Sequence, residues 1–402
     1  MQYSPQVETL PISAEDKRRV AMTLSCRDCD SIPKVPGAGA VIEENSSRYQ
    51  LMHNGIRVLE DCYYGRWMTE LIRLLHGHHE PQEERVFYEL LKHIGPGATM
   101  VELGSFWSYY SLWFQLVVPG AKNFMVEPDP NNLAIGQKNF AINGMSGRFV
   151  NASVGRRSLP GGPFVCESDG ATRQIPCIAV DDLVADQQID GIELLLADTQ
   201  GAELAALEGA SSTISAGKLR FVILSTHHHS ICHDPIIHQR CLQFLRGNGA
   251  HILAEHSVSE SFSGDGLVAA SFYESDRVIP AIEIGRNYPS NSLFRESEFD
   301  LAEAYEEIQS LKVDMANLNK ELSESAAKNS SAEFELAKVN KEVQSLRAEL
   351  AILNGKATRQ VVEIQQLNKQ VSEKEATIAS ILGSKSWRVT AILRKLSQAL
   401  KP

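Results

Sequence analysis

The chain has 402 residues, 43% of them hydrophobic, so it is long enough for two or more domains and can bury a sizeable core. The formal net charge of −11 argues against general nucleic-acid binding, because a phosphate backbone attracts basic surfaces. Seven cysteines without a disulfide framework predict a reducing compartment. No signal-like N-terminus and no apolar run long enough to span a membrane is evident. These features predict a cytoplasmic protein without a nucleic-acid partner.

Residues 1–80 are expected to form an N-terminal extension that covers the domain behind it. A short helix is predicted over residues 12–23, with Ser13 as its N-cap. Cys26 and Cys29 then form an isolated C-x-x-C. A zinc site needs a second pair of ligands at similar spacing, and none follows nearby. Two reduced loop cysteines are therefore the stronger alternative and a metal site the weaker one.

A polar loop with the sequence GHHEPQEE occupies residues 77–84 and leads into an amphipathic helix. Pro81 suits the first helical turn, and the acids after it favour the helix dipole. Two interpretations stay open for His78, His79 and Glu80. They form either a polar capped loop or a segment that folds over a ligand pocket, because the loop precedes the first core strand.

Residues 99–127 predict a buried strand, a glycine turn, an aromatic-rich helix and a second strand. Apolar runs of four or five residues are typical of parallel-sheet strands. Glu102 lies near the end of the first strand and Glu127 at the end of the second. A carboxylate some twenty residues past the glycine turn suits hydrogen bonding to ribose hydroxyls. The stretch therefore predicts a site for a nucleoside-containing cofactor.

The turn after the first strand distinguishes between cofactors. A dinucleotide pyrophosphate requires G-x-G-x-x-G, whereas here Gly104 is kept and residues 106–108 are Phe, Trp and Ser. That crowding disfavours a nicotinamide-dependent oxidoreductase but tolerates a smaller ligand without phosphates, such as S-adenosylmethionine. A degenerate turn that binds nothing is the remaining alternative.

The chain after the second strand continues the alternation of helices and strands. Further strands are expected near residues 148–151, 192–197, 221–224, 251–255 and 267–272, and a surface hairpin or loops near 161–170. Seven strands with intervening helices fit an α/β fold. We expect the Rossmann-like seven-stranded sheet of the class I methyltransferases, with helices on both faces.

Three ordered motifs within residues 80–260 resemble the FkbM family of S-adenosylmethionine-dependent methyltransferases. VELGSFWSYYS at Val101–Ser111 resembles the first motif and VEPDPNNL at Val126–Leu133 the acidic second motif, while DTQGAE at Asp198–Glu203 is similar to the D-x-x-G-x-E signature. The first motif departs from the family pattern, because Glu replaces its Asp, Phe its Asn and Ser its second Gly. The resemblance therefore implies cofactor binding with an altered methionine-side pocket.

The resemblance implies a cofactor site at the carboxyl ends of the first, second and fourth strands. In this interpretation Glu127 holds the ribose and Gly104 lets the cofactor approach the first turn. The predicted cofactor-binding residues are Glu102, Gly104, Ser105, Ser108, Glu127, Pro128, Asn151 and Asp198.

Asp198 is expected at the reacting end of the cofactor, where it orients the acceptor or the sulfonium. A helix N-cap is its alternative role. A sugar hydroxyl needs a base to remove its proton, and histidine titrates near neutral pH. His227 or His228 is the predicted base, because an extended segment points only one of them towards the pocket.

Histidines crowd residues 227–238. Imidazole with carboxylate also suits Zn²⁺ or Mn²⁺, but we assign no metal ligand, and polar loop residues without special chemistry are the alternative.

From residue 301 to 381 apolar residues recur at alternating steps of three and four, which predicts a left-handed coiled coil over 299–383. A lone helix would leave this stripe exposed, so a homodimer or homotrimer is expected, with a hetero-oligomer as the alternative. Asn329 at a core position is expected to fix the register.

Residues 384–402 form a basic amphipathic segment that contains Trp387. Such a segment suits an anionic membrane surface or contact with a glycosyltransferase complex, and an exposed basic cap is the alternative. The segment resembles the Ser-x-Ser-Trp-Arg ending of bacterial cell-surface polysaccharide enzymes.

The sequence as a whole predicts a methyltransferase that acts on a hydroxyl of a glycan or glycolipid precursor. The alternative function is a non-catalytic coiled-coil scaffold with a degenerate cofactor domain. The expected organisation is an extension (1–80), a methyltransferase domain (81–280), a linker (281–298), a coiled coil (299–383) and a basic C-terminal segment (384–402).

Overall fold

The computed structural model describes residues 5–44 and 47–294. Residues Met1–Arg295 form one compact unit and Glu296–Pro402 a second. The described residues of the second unit are 305, 308–320, 341–351, 353–354, 372–373, 375–377, 379–380 and 390. None of the helices in the described part of the chain is long and apolar enough to cross a membrane.

Much of the predicted coiled coil at 299–383 and nearly all of the basic segment at 384–402 lie outside the described residues. The stretches 308–320 and 341–351 are helical, and Leu318 of the predicted apolar stripe is 60% exposed in the single chain. The coiled coil, the homo-oligomer and the membrane contact of the tail therefore stay predictions.

The N-terminal part combines helices with a small antiparallel sheet of strand order β1–β2–β3. Its helices are α1 (Pro5–Glu8), α2 (Ala14–Leu24), α3 (Arg66–Leu74) and α4 (Pro81–Leu91), and its strands are β1 (Val41–Glu44), β2 (Ser47–Leu51) and β3 (Arg57–Leu59). The predicted N-cap is confirmed, because Ser13 Oγ accepts a hydrogen bond from the Asp16 amide at 3.0 Å. Strands β1 and β2 are not evident from the sequence, because VIEE and SRYQL lack a clear apolar alternation.

The following elements build the central layer and its flanks. The strands are β4 (Thr99–Leu103), β5 (Lys122–Val126), β6 (Arg148–Val150), β7 (Ser153–Val154), β8 (Leu159–Val165), β9 (Thr172–Ile178), β10 (Ile192–Ala197), β11 (Leu219–Thr226), β12 (His251–His256) and β13 (Gly266–Ser271). The helices are α5 (Tyr109–Val117), α6 (Pro130–Ile142), α7 (Val180–Asp186), α8 (Glu203–Glu208), α9 (Ser211–Ser215), α10 (His229–Cys232) and α11 (Ile237–Gly247).

The central sheet has the strand order β12–β13–β11–β10–β4–β5–β6. Strand β13 is antiparallel to both of its neighbours, and the other pairs are parallel. The prediction of an α/β fold with a seven-stranded sheet is confirmed. Strands β4 and β10 have the bounds expected from the sequence, because both are short apolar runs with polar or glycine residues at their ends. A hairpin of β8 and β9 occupies the predicted surface position, and α7 is an addition to the prediction.

Helices and the N-terminal sheet cover the two faces of the central sheet. Alternate residues of a strand point to opposite faces. Met100 of β4 therefore packs with Phe87 and Phe114 on one face. Val101 packs with Leu183 on the other. The N-terminal extension belongs to the first of these layers, so it is part of the same folded unit as the sheet.

Trp113 of α5 joins the N-terminal extension to the core. Its side chain is 2% exposed, and its ring lies 4.4 Å from the His53 ring and 5.0 Å from the Phe87 ring, centroid to centroid. Leu116, on the same helix, is 47% exposed.

Replacing Trp113 with Ala is expected to lower the free energy of unfolding by about 3–5 kcal/mol, because the large buried ring leaves a cavity. Denaturant unfolding followed by circular dichroism measures the change. The matched control is Leu116→Ala, which should alter stability by no more than about 0.5 kcal/mol. Equal effects of the two substitutions would contradict the packing described here.

Candidate active site

A cleft lies at the carboxyl ends of β4, β5 and β10, where the strand order reverses on either side of β4. Ligands of open α/β sheets bind at such a switch point. The cleft encloses about 1020 Å³, including its open mouth. Its floor comes from the loops after these strands. Its walls come from the N-terminal extension, through Tyr63, Tyr64, His79 and Glu80, and from the β8–β9 hairpin.

Gly104 brings the loop after β4 against the end of β10. It has a φ of +74°, and a Cβ at this position would lie 1.7 Å from the Asp198 carbonyl oxygen. Only glycine fits such an approach. Phe106, Ser108 and Gln200 have positive φ values of 40°, 59° and 53° although none is glycine. Strained backbone of this kind concentrates at functional sites.

Glu127 ties together the loops that follow β4 and β5. Its Oε2 accepts the Phe106 amide at 3.0 Å and its Oε1 accepts the Asp129 amide at 2.8 Å. Asn151 does not line the cleft, but its Nδ2 donates to the carbonyls of Glu127 and Pro128 at 2.9 Å each. Glu127 and Pro128 both line the cleft. Each carboxylate oxygen keeps a lone pair for a ligand hydroxyl.

The other predicted residues of the first motif fall into two groups. Glu102 and Ser105 line the cleft, and Ser105 Oγ is a buried hydroxyl without a hydrogen-bond partner among the described residues. Glu102 Oε2 accepts the Ser111 amide at 3.0 Å. Ser108 is fully buried outside the cleft lining, with its Oγ near Gly136. The structure therefore offers Ser105, rather than Ser108, to a ligand.

Asp198 and His227 meet at the end of β10. His227 Nε2 lies 3.2 Å from Asp198 Oδ1, and the Asp198 side chain is 33% exposed in the cleft. His227 Nε2 also lies 3.6 Å from Asp265 Oδ1. Burial disfavours the imidazolium, but Asp265, Asp198 and Glu203 together raise the pKa of His227 well above its ordinary value. His227 is therefore a buried cation that lies behind Asp198. Of the carboxylates around His227, Asp198 is the one that belongs to the signature and also lines the cleft.

Glu203 explains the spacing of the D-x-x-G-x-E signature. Its Oε1 accepts the amides of Thr199 at 3.3 Å and Gly201 at 3.0 Å, so the side chain closes its own loop. The same oxygen lies 3.1 Å from His227 Nδ1. The signature thus holds Asp198 in place from one side and its histidine partner from the other.

His228 lies apart from this group. Its Nδ1 lies 2.8 Å from Ser230 Oγ, and its ring stacks on Phe294 at 4.3 Å between centroids. Burial, with His229 nearby, lowers the pKa of His228 to about 4. Of the two candidate bases, the structure brings His227 to Asp198 and directs His228 elsewhere; their catalytic roles stay predictions.

Aromatic rings form the wall next to the first motif. Tyr63 stacks on Trp107 at 4.5 Å with planes 6° apart, and Tyr64 meets Phe106 edge-on at 5.5 Å. The rings that crowd the first turn thus pack against the N-terminal extension, and they line the cleft beside it. Sequence reasoning missed both tyrosines, because nothing in their own segment signals a partner some forty residues later.

The charge of the cleft identifies the kind of ligand that fits it. The acidic lining residues are Glu80, Glu102, Glu127, Asp129, Glu167 and Asp198, and no lysine or arginine of the described chain lines it. Burial raises the pKa of Glu102 to about 8 and that of Glu127 to about 7. A pyrophosphate would be repelled here, whereas a cation relieves the buried negative charge. A sulfonium nucleoside with an amino group meets this requirement, and Ser105 Oγ offers it a free polar atom.

The comparison with protein families supports the same assignment. Residues 92–252 match the family model described as the methyltransferase FkbM domain. No curated protein matches the chain.

Several solved structures resemble this one. The ribosomal protein L11 methylase from Lactobacillus delbrueckii subsp. bulgaricus is 14% identical, with 49% of this chain and 80% of that chain covered and a TM-score of 0.30. M. capricolum TrmK in complex with S-adenosyl-homocysteine is 12% identical, with coverages of 66% and 97% and a TM-score of 0.31. A SAM-dependent methyltransferase from Agrobacterium tumefaciens is 12% identical, with coverages of 57% and 71% and a TM-score of 0.34. Likenesses this weak carry no argument about activity.

The strand order and the acidic cleft define the class, a Rossmann-like domain for a cationic nucleoside cofactor. The family match is more specific: residues 92–252 match a methyltransferase domain, and the cofactor is S-adenosylmethionine.

Replacing Glu127 with Ala is expected to weaken S-adenosylmethionine binding by roughly 100-fold or more, since it removes a ligand acceptor and frees the amides of two cleft loops. Isothermal titration calorimetry measures the affinity. Glu208→Gln is the matched control, because Glu208 pairs with Arg156 at the surface and lies outside the cleft lining. Normal affinity in the Glu127 variant would refute its assignment.

Cofactor affinity is expected to rise with pH between about 6 and 8. Burial raises the pKa values of Glu102, Glu127 and Glu167, so near neutrality the free protein holds part of their protons. A bound cation favours the carboxylate forms, so binding releases protons and strengthens as pH rises.

Calorimetry in buffers of different ionisation enthalpy measures this proton release. S-adenosylhomocysteine, whose sulfur is neutral, should show the weaker pH dependence. An affinity for S-adenosylmethionine that falls across this range would contradict the electrostatic argument.

Proposed function

We propose that the domain transfers a methyl group from S-adenosylmethionine to a hydroxyl of a sugar, glycan or glycolipid precursor. The observation that carries the proposal is the pair of Asp198 and His227, with a partly exposed carboxylate in the cleft and a buried cation 3.2 Å behind it. A hydroxyl is a poor nucleophile until a base takes its proton as attack develops. The pair supplies that base at the end of the strand where cofactor and acceptor meet.

The mouth of the cleft suits a neutral, hydroxyl-rich acceptor. Tyr64 is 40% exposed, and its hydroxyl lies 3.2 Å from Gln200 Nε2. Phe164 of the hairpin lines the same cleft. Aromatic faces accept the C–H face of a sugar ring, and amide and carboxylate groups bond its hydroxyl edge. The cleft lining carries six acidic side chains against the one imidazole of His79, so it disfavours phosphorylated or nucleic-acid acceptors, whose phosphates would be repelled.

The chain's own residues have distinct roles in the proposed reaction. The cofactor, when bound, supplies an electrophilic methyl group on a sulfonium whose sulfur keeps the electron pair of the broken C–S bond. Asp198 accepts the proton of the acceptor hydroxyl as the new C–O bond forms. His227 acts through Asp198: its positive charge holds the carboxylate in place, and Glu203 orients the imidazole from behind.

The charge balance around Asp198 tunes it for this role. Burial raises the pKa of Asp198, and its contacts with His227 lower it again. A base works best when its pKa approaches the working pH. Glu80 and Glu203 add negative charge that keeps the pKa of Asp198 above its ordinary value.

The direct test is incubation of the whole chain with methyl-labelled S-adenosylmethionine and fractionated host glycans. Label that enters a glycan, resists mild alkali and is recovered as an O-methyl sugar after acid hydrolysis indicates a methyl ether on a hydroxyl, as proposed. Label released by alkali indicates a methyl ester and overturns the hydroxyl assignment. Tight cofactor binding without transfer to any glycan fraction would favour the non-catalytic scaffold.

Asp198→Asn is expected to lower the rate of transfer by about 10²–10⁴-fold, which is the range of general base catalysis. His227→Gln should move the rising limb of the pH–rate profile to higher pH, because loss of the cation raises the pKa of Asp198. His228→Gln separates the two histidines, since its ring faces Ser230 and Phe294, and it should leave the profile in place. The reverse outcome, a shift for His228→Gln alone, would contradict the role of His227.

A further inference from the structure

A second cluster of titratable side chains lies behind the wall of the cleft, and one of its members, His78, directly precedes the lining residue His79. His53 follows β2, His78 precedes α4, and Glu84 lies in the first turn of α4. The three residues are 2%, 0% and 0% exposed. One ring nitrogen from each histidine and one carboxylate oxygen of Glu84 lie within 4.8 Å of one another. Three separate segments of the chain thus converge on one buried point.

His53 presents an unused lone pair to this point. Its Nδ1 lies 3.1 Å from the Pro33 carbonyl oxygen, which only accepts, so Nδ1 carries the hydrogen. With the hydrogen on Nδ1, Nε2 of the neutral ring is an acceptor. Nε2 has no hydrogen-bond partner among the described residues and lies 4.0 Å from Glu84 Oε2. Unsatisfied polar atoms are rare in protein interiors and call for an explanation.

The surroundings of the cluster resemble the outer shell of a metal site. A metal-bound histidine donates its second ring N–H to a carbonyl or carboxylate, as His53 does to Pro33. Glu84 accepts from the His79 amide through its other oxygen, at 2.7 Å, and from the Glu80 amide at 3.3 Å. These bonds fix the orientation of the carboxylate and leave Oε2 to His78 and to the centre of the cluster.

The donor set selects the metal. Two imidazoles and one carboxylate favour a borderline transition ion, and in zinc proteins this set leaves a fourth position for water. Calcium and magnesium prefer oxygen ligands throughout. The C-x-x-C predicted as the weaker metal candidate is not part of the cluster: Cys26 and Cys29 are buried free thiols.

We propose that His53, His78 and Glu84 bind a zinc ion, which fastens the N-terminal extension over the cofactor cleft. The ion would connect the turn after β2, the loop before α4 and α4 itself. Gly77 shows how closely these segments approach, because a Cβ there would lie 2.2 Å from the His53 amide nitrogen. His79 and Glu80, which follow directly, line the cleft. None of the three ligands lines the cleft, so the ion would hold these segments together and lie outside the transfer chemistry.

The test uses the whole chain without a histidine tag, stripped with chelator and dialysed against Zn²⁺. Metal analysis is expected to find about one zinc ion per chain. His53→Gln should weaken zinc affinity by roughly 100-fold or more, because even outer-shell losses cost 10–100-fold. Substitution by Co²⁺ should give visible absorption stronger than that of the aqueous ion, and His53→Gln should lose it.

The matched control is His229→Gln with His233→Gln, which removes two imidazoles from the separate histidine cluster after β11. This double variant should keep the zinc. Retention of zinc by His53→Gln, or its loss in the double variant, overturns the proposal, as does a wild-type chain without zinc.

Anomalous scattering at the zinc edge in wild-type crystals tests the proposed site directly, even if His53→Gln fails to fold. A peak between His53, His78 and Glu84 supports the site, and a peak elsewhere or none refutes it.

Discussion

The negative charge buried at the carboxyl edge of β4, β5 and β10 is the constraint on which the rest of the structure depends. Carboxylates converge there, and neither lysine nor arginine is found among the described lining residues. Three of them are held by specific partners: Glu127 by two backbone amides, Asp198 by the His227 cation, and Glu102 by the amide of Ser111. A cationic cofactor neutralises the negative charge that these contacts leave uncompensated. Strand order places the site, and charge selects its ligand.

The N-terminal extension forms part of the wall of this site. It packs against Trp113 of α5 on one face of the sheet, and it contributes Tyr63, Tyr64 and Glu80 to the cleft. A domain reduced to the residues of the family match would lack these groups. Glu84 connects this wall to the interior, because it accepts amides of the cleft-lining loop while facing the His53 cluster. A change in that cluster is therefore expected to alter the position of the loop that lines the cleft.

Individual residues show how far sequence reasoning reached. Glu127, Gly104 and Asp198 were placed correctly at strand ends, because short apolar runs with glycine or acidic ends are local signals. The structure adds a reason for Gly104 that the sequence does not reveal: its missing Cβ admits the Asp198 carbonyl. Ser108 and Asn151 do not line the cleft, since a side chain's direction in a turn depends on backbone torsions that sequence spacing does not reveal. Only the tertiary structure distinguishes the two histidines, because it places His227 beside Asp198 and His228 against Phe294.

The sequence by itself determined the strand pattern, the class of sheet and the acidic strand ends, because these depend on local hydrophobic periodicity and motif spacing. Tertiary structure alone decided which distant groups meet: Asp265 with His227, Tyr63 with Trp107, and His53 with Glu84. Such pairs are set by the packing of layers that are far apart along the chain. A single sequence carries no record of which buried neighbour each side chain will find.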